Sequence, residues 1–235
     1  AHAQHSQQSR GQPYHANRDQ TNQQVHPFDD LGVFDYLIQG EGETAFVNLL
    51  KKISENGAAQ SANDTHNGNH DRNMRAKHKH PELIVGMTED CSKLSSPWLD
   101  GTIDPVTYNG VLWELSRGCP YACSYCFESK GERRVRKFPM ERLEKEIELF
   151  AQKKVPQFFV LDPTFNADRE RALKLLKLMA KKLPDAHYQF EIRADCMDKS
   201  LAEAFTQLSC SLQIGLQSAN PQVLKNINRS FERKN

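Results

Sequence analysis

The sequence carries almost no net charge: 31 Lys and Arg face 30 Asp and Glu, a formal balance of +1. Gripping a nucleic-acid backbone needs a strong local excess of Lys and Arg, so this balance argues against a general nucleic-acid-binding protein. One stretch, "KGERRVRK" at 130–137, is locally basic. It reads either as a solvated face or as a contact for an anionic substrate, a cofactor tail or an RNA backbone. Also missing are an apolar run of membrane-spanning length and a leading basic and apolar segment of the secretory type. The expected compartment is therefore reducing, the cytoplasm. A disulfide framework is disfavoured too, because half of the six cysteines crowd into positions 119–126. The outlying Cys91, Cys196 and Cys210 read as small buried hydrophobes.

Apolar side chains are scarce in two stretches. Residues 1–30 are nearly all small, amide or imidazole groups and cannot offset their ordering entropy, so disorder is expected there. Residues 55–80 read as a disordered insertion, and their histidines at 66, 70, 78 and 80 as incidental. Between the two, "LGVFDYLIQGEGETAFVNLLKKIS" at 31–54 has a strand candidate at 33–38, a turn-rich "GEGE" and a short helix carrying Phe46, Val47, Leu49 and Leu50. Residues 81–110, with prolines at 81, 97 and 105, read as a linker that wraps a neighbouring surface with Trp98, Leu99, Ile103 and Tyr108.

Dense periodicity begins at Val111. Strand candidates at 111–116, 157–162, 187–194 and 211–218 alternate with helix candidates at 140–154, 168–183, 199–208 and from Pro221. The first helix turns Leu143, Ile147 and Phe150 to one side, and the second places Leu173, Leu176, Ala180 and Leu183 on one stripe. Strand then helix, repeated, predicts an α/β fold with a parallel sheet and right-handed crossovers. Four units are too few to close an eight-stranded barrel, so 111–235 is expected to form a partial one with an exposed edge at its fourth strand.

At the end of the first strand stands "RGCPYACSYCFES", residues 117–129, with Cys119, Cys123 and Cys126 spaced C-x3-C-x2-C. Thiols this close repel as anions and oxidise unless something binds them, so metal ligation explains them better than packing. Tetrahedral zinc wants a fourth protein ligand; Cys91 lies in the linker and His187 in another strand. A cubane [4Fe-4S] cluster on three thiolates leaves one iron open to a small ligand, and ordinary ferredoxins spend four cysteines per cluster. Zinc with a borrowed ligand stays open as the alternative.

"ELSRGCPYACSYCFES" resembles the signature of the radical S-adenosylmethionine enzymes. "YLIQGEGETAF", "FFVLDPTFNADRERALKLL" and "IGLQSANPQVLKNINRSF" resemble the subgroup with a cobalamin-binding domain ahead of the radical domain. The likeness covers roughly 33–50 and 111–229, with 31–54 as a remnant of the cobalamin-binding-like domain.

The resemblance implies that Cys119, Cys123 and Cys126 hold a [4Fe-4S] cluster whose open iron is chelated by S-adenosylmethionine. Electron transfer would then cleave a carbon-sulfur bond and start radical chemistry on an unidentified organic substrate. The implied partner is a reductant such as flavodoxin or ferredoxin. Tyr125 takes the place of an aromatic near the adenine, with loop packing as the plain alternative. "LDPTF" stands where typical members carry Gly-Gly-Glu, so Asp162 is a candidate acceptor for the methionyl amine, or else a strand-end cap. Glu191 and Arg193 share a strand face and suit a ribose hydroxyl and a carboxylate, or pair with each other. Gln217 and Ser218 end the fourth strand within reach of the cofactor. The Asp-x-His-x-x-Gly pattern that commonly ligates cobalt is absent from the sequence. Cobalamin is thus expected only if a missing domain supplies it, and radical methylation becomes the expected outcome in that case. The alternative is a truncated, non-catalytic cluster-binding or interaction protein.

Overall fold

The computed structural model describes residues 34–63, 81–128 and 133–229, without the side chains of 56–63. The chain forms two compact units, Ala1–Met87 and Thr88–Asn235. Their boundary falls inside the segment expected to be a linker. The expected disorder at 1–30 lies outside the described residues, as does most of the 55–80 insertion.

In the first unit, β1 (Tyr36–Gln39), α1 (Glu43–Asn63) and β2 (Glu82–Val85) make one strand-helix-strand unit with the two strands parallel. Two expectations change here. The helix continues nine residues into the stretch read as disordered, and the "linker" opens with a strand that pairs with β1. ELIV is a short apolar run that periodicity alone does not assign; its pairing with β1 makes it a strand. Lys52 on α1 reaches the Glu82 carboxylate at 2.9 Å. After β2, the Gly86 amide bonds the Gln39 carbonyl, and a Cβ at Gly86 would meet the Glu41 carbonyl oxygen at 2.0 Å, so only glycine fits.

The second unit is built on a four-stranded parallel sheet. β3 (Val111–Trp113) is followed by the short β4 (Ser116–Arg117) and β5 (Arg136–Lys137), then by α2 (Met140–Gln152), β6 (Gln157–Val160), α3 (Arg169–Lys182), β7 (His187–Ile192), α4 (Lys199–Phe205), β8 (Ser209–Ile214) and α5 (Pro221–Asn226). The sheet order is β3-β6-β7-β8, each neighbour parallel, which is the expected partial barrel of strand-helix units. Strand β8 stands at the edge, with Leu212 and Ile214 exposed, and begins two residues before the sequence pattern did.

Alternation along each strand divides the sheet into two faces. Phe158 and Val160 of β6 and Tyr188, Phe190 and Ile192 of β7 are buried in one core with residues of the helices, while His187, Gln189 and Glu191 lie on the other face. Leu143, Ile147 and Phe150 of α2 join that core as expected. Helix α3 is rotated from expectation: it buries Ala172, Leu175, Leu176 and Met179, leaving Leu173 and Ala180 at the margin. Each fully buried Phe or Leu contributes about 2 kcal/mol by leaving water. A relay of rings, Trp113 on Phe150 and Phe158 on Tyr188, joins the sheet to α2, and Trp98 packs edge-on against Phe150. Trp98 thus wraps the core as read from the sequence, whereas Tyr108 is exposed. Trp113 donates its indole N–H to the buried Glu146 at 2.7 Å, and Arg142 pairs with the same carboxylate at 2.8 Å.

The helix starts follow from side chains that accept orphan amides: Asp168 for α3, Asp198 for α4 and Asn220 for α5, where Pro221 fills the first turn. Among the described residues, no helix is long and apolar enough to cross a membrane.

Candidate functional site

The cysteine segment leaves the carboxyl end of β3, where parallel sheets gather their chemistry. Its root is held tightly. Asp162, two residues beyond β6, accepts the Leu115 and Ser116 amides on one oxygen, both at 2.9 Å, and the Ser116 hydroxyl on the other at 2.6 Å. Arg171 of α3 donates to the carbonyls of Leu115 and Phe138, the residues flanking the loop. Strands β4 and β5 close the base as an antiparallel pair, Ser116 opposite Lys137 and Arg117 opposite Arg136. Gly118, at φ 88°, then turns the chain into the loop through a conformation that other residues resist.

Beyond that turn, Cys119 and Cys123 are buried and Cys126 is half-buried, and all three, none of them in a disulfide, line one cavity of about 340 Å³. Tyr125, Glu191, Arg193 and Gln217 line the same cavity, so four of the six other candidates converge with the three cysteines. Asp162 and Ser218 do not line it. Asp162 is buried and spends both oxygens on the loop root. Ser218 accepts the Asn220 amide at 3.1 Å at the entry to α5.

Glu191 and Arg193 are not partners. Arg193 grips Asp195 with two nitrogens, at 2.9 and 2.7 Å, and lays its guanidinium 3.9 Å from the centre of the Tyr121 ring. Asn166 bonds both the amide and the carbonyl of Arg193, fixing the end of β7. Glu191 has no hydrogen-bond or ion-pair partner among the described residues and faces the cavity half-exposed. Burial opposes charge on Asp195, but the Arg193 guanidinium holds its carboxyl below the usual range.

Four contributors escaped the sequence reading. Tyr121, between the first two cysteines, lies beneath Arg193 and places its hydroxyl 3.0 Å from the Cys196 thiol; burial, then that contact, pushes the phenol far above its ordinary value. Cys196 is therefore more than the packing residue it was read as. Thr164 sets its hydroxyl 4.0 Å from the Cys119 sulfur. Arg229 donates to the Tyr125 hydroxyl at 3.1 Å, to the Cys123 sulfur at 3.9 Å and to the Gly215 carbonyl at 2.7 Å. Burial raises the Tyr125 phenol, and the Arg229 charge opposes it. Asn228 donates its side-chain amide to the Ala122 carbonyl at 2.7 Å. Tyr121 had a signal, its place inside the C-x3-C interval; Asn228 and Arg229 had none beyond their place in the last matching stretch. In the basic stretch, Arg136 donates to the Glu89 carbonyl and Lys137 pairs with Asp168, so two of its charges are satisfied within the protein.

The donor set fits an iron-sulfur cluster. Three cysteine thiols open on one cavity whose lining includes no histidine and no fourth cysteine among the described residues. Among the described residues, no three His, Cys, Asp or Glu groups close on a single point as they would around one ion.

The chain is 28% identical, over an alignment of 241 positions, to the cobalamin-dependent radical SAM methyltransferase TokK of Streptomyces tokunonensis, which spans 93% of this chain and 33% of the relative. It is 31% identical to the 2-(S-pantetheinyl)-carbapenam-3-carboxylate methyltransferase of Streptantibioticus cattleyicolor over 60% of this chain and 21% of that enzyme. The chain thus spans a third or less of these curated relatives. Among solved structures it is similar to the radical S-adenosylmethionine methyltransferase TsrM of Kitasatospora setae, with a TM-score of 0.48 and 18% identity over 52% of this chain and 25% of that one. Residues 113–234, more than half of the chain and all of the cysteine loop, match the model of the Radical SAM superfamily, and the chain belongs to that superfamily.

Proposed function

We propose that this chain carries the S-adenosylmethionine-cleaving centre of a cobalamin-dependent radical methyltransferase, with Cys119, Cys123 and Cys126 holding a [4Fe-4S] cluster. The observation that carries the reading is the convergence of Cys119, Cys123 and Cys126 on a cavity that also presents Tyr125, Glu191 and Arg229. The similarity to a methyltransferase that is itself cobalamin-dependent supports methylation as the outcome. Cobalamin would be held elsewhere in the system, since the cobalt-ligating pattern is absent from this sequence. When bound, the cluster supplies the electron for breaking a carbon-sulfur bond of S-adenosylmethionine.

The chain's own groups bind and orient. Tyr125 offers an aromatic face to the adenine, with its hydroxyl tied to Arg229. Glu191 accepts from a ribose hydroxyl or the methionyl amine. The Arg229 guanidinium, anchored at the Gly215 carbonyl, presents fixed positive charge to a carboxylate. Arg193, paired with Asp195 and laid over the Tyr121 ring, keeps the loop seated against β7. Gln217, at φ 62°, adds a polar group at the cavity rim.

The test is anaerobic iron-sulfur reconstitution followed by dithionite and S-adenosylmethionine, with 5'-deoxyadenosine as the measured product. The wild-type chain is expected to form it, and Cys123→Ala is expected to form none above background. A wild-type cluster that assembles without yielding product would refute cleavage by this chain and leave the non-catalytic cluster-binding reading.

A further inference from the structure

Helix α5 ends in a way that normally selects glycine. The Asn228 amide bonds the Lys225 carbonyl and the Arg229 amide bonds the Leu224 carbonyl, the two bonds of a Schellman ending, and the residue between helix and exit stands at φ 52°. Glycine is the default there because a Cβ costs energy in the left-handed region. Asparagine tolerates that region, but it brings a side chain, and here the side chain has a use. Asn228 donates its amide to the Ala122 carbonyl at 2.7 Å, between Tyr121 and Cys123. One residue earlier, the Ile227 carbonyl accepts the Ser124 amide at 3.0 Å. One residue later, Arg229 reaches Tyr125 and the Cys123 sulfur. Three consecutive residues therefore grip four consecutive residues of the cysteine loop, across about a hundred positions of sequence.

We propose that Asn228 is a positioning residue for the cysteine loop, holding the backbone around Cys123 so that the thiols are arranged before any metal arrives. The proposal rests on the reading of Cys119, Cys123 and Cys126 as cluster ligands. Its physical basis is preorganisation: a loop fixed by bonds to a helix end loses less freedom on ligation, and orientation of ligands by their outer partners tunes a metal site. The helix ending and the loop bond use different parts of Asn228, so they can be separated. Asn228→Gly adopts the positive φ more easily and keeps both helix-ending bonds, but it has no amide to donate. Asn228→Asp keeps the size, yet its carboxylate faces a carbonyl without a proton to give.

Two measurements on the full chain decide the matter. In the metal-free protein, amide hydrogen exchange is read over residues 119–126; in the reconstituted protein, the electron paramagnetic resonance spectrum of the reduced cluster and its rate of bleaching in air are read. Both variants are expected to lower the thermal midpoint by no more than about 4 °C, to exchange the Ser124 amide about fivefold faster, to bleach about fivefold faster and to show an altered resonance signal, as loss of one hydrogen bond implies. Unchanged exchange, or faster exchange with an unchanged signal and bleaching rate, overturns the proposal. A wild-type chain that takes up no iron-sulfur cluster refutes the ligand reading instead, a result distinct from normal uptake with variants that match wild type.

Discussion

Asp162 stands two residues beyond β6 and Glu191 lies in the neighbouring parallel strand β7, and the two end up with opposite surroundings. Asp162 follows the parity of Phe158 and Val160, turns to the helix-covered face and is consumed by three donors from the root of the cysteine loop. Glu191 follows the parity of His187 and Gln189 and turns to the cavity with its oxygens open to a ligand. One carboxylate builds the site and the other is available to work in it, and the difference between them is one step of strand alternation.

Removing the builder is expected to have the largest effect. Asp162→Ala leaves the buried Leu115 and Ser116 amides without an acceptor and is expected to cost about 3 kcal/mol in chemical denaturation; a loss below about 1 kcal/mol would show that water replaces the carboxylate at no penalty. A smaller effect separates charge from shape. Burial pushes the Asp162 carboxyl above its usual range, against the pull of its donors and of Arg171. A folded-state value above the unfolded one contributes stability that is complete below about pH 4 and is lost as pH rises through the folded value. Asp162→Asn cannot ionise, so its stability relative to wild type is expected to rise as pH is raised above about 4, the unfolded carboxyl value. A difference that stays flat over that range would mean the three donors cancel the burial. The smallest effect on the fold belongs to Glu191→Gln, expected to change stability by less than about 0.5 kcal/mol. Its anaerobic calorimetric affinity for S-adenosylmethionine is expected to fall about fivefold, the equivalent of one hydrogen bond. Unaltered affinity would remove Glu191 from the site.

The same contrast shows what the sequence discloses. Helix α2 and strands β6 and β7 were legible because burial imposes a period on their apolar residues. The cysteine loop was legible because three thiols held in one short loop oxidise or repel unless a metal takes them. Glu191 and Arg193 were placed on one face by alternation alone, but the partner of Arg193 was not legible, because Asp195 enters through the turn after β7 rather than along the strand. Asp162 stood open between ligand and cap because a carboxylate at a strand end suits either role, and its bonds to Leu115 and Ser116 emerge only in the fold. The strand at Glu82–Val85 was hidden in a loop-like stretch because four residues show too little pattern. Asn228 and Arg229 carry no local signal, since their meaning depends on a loop about a hundred residues away.

That separation fixes an order of events during biosynthesis. The thiols leave the ribosome as near neighbours, yet the carboxylate that fastens their loop at its root is made 46 positions after Ser116, and the amide that fastens its tip 106 positions after Ala122. A nascent chain shorter than that can expose the cysteines but cannot hold them in place. On the reading of Cys119, Cys123 and Cys126 as cluster ligands, metal delivery to the finished arrangement waits until α5 has been synthesised and docked, because before then the three sulfurs lack both fastenings.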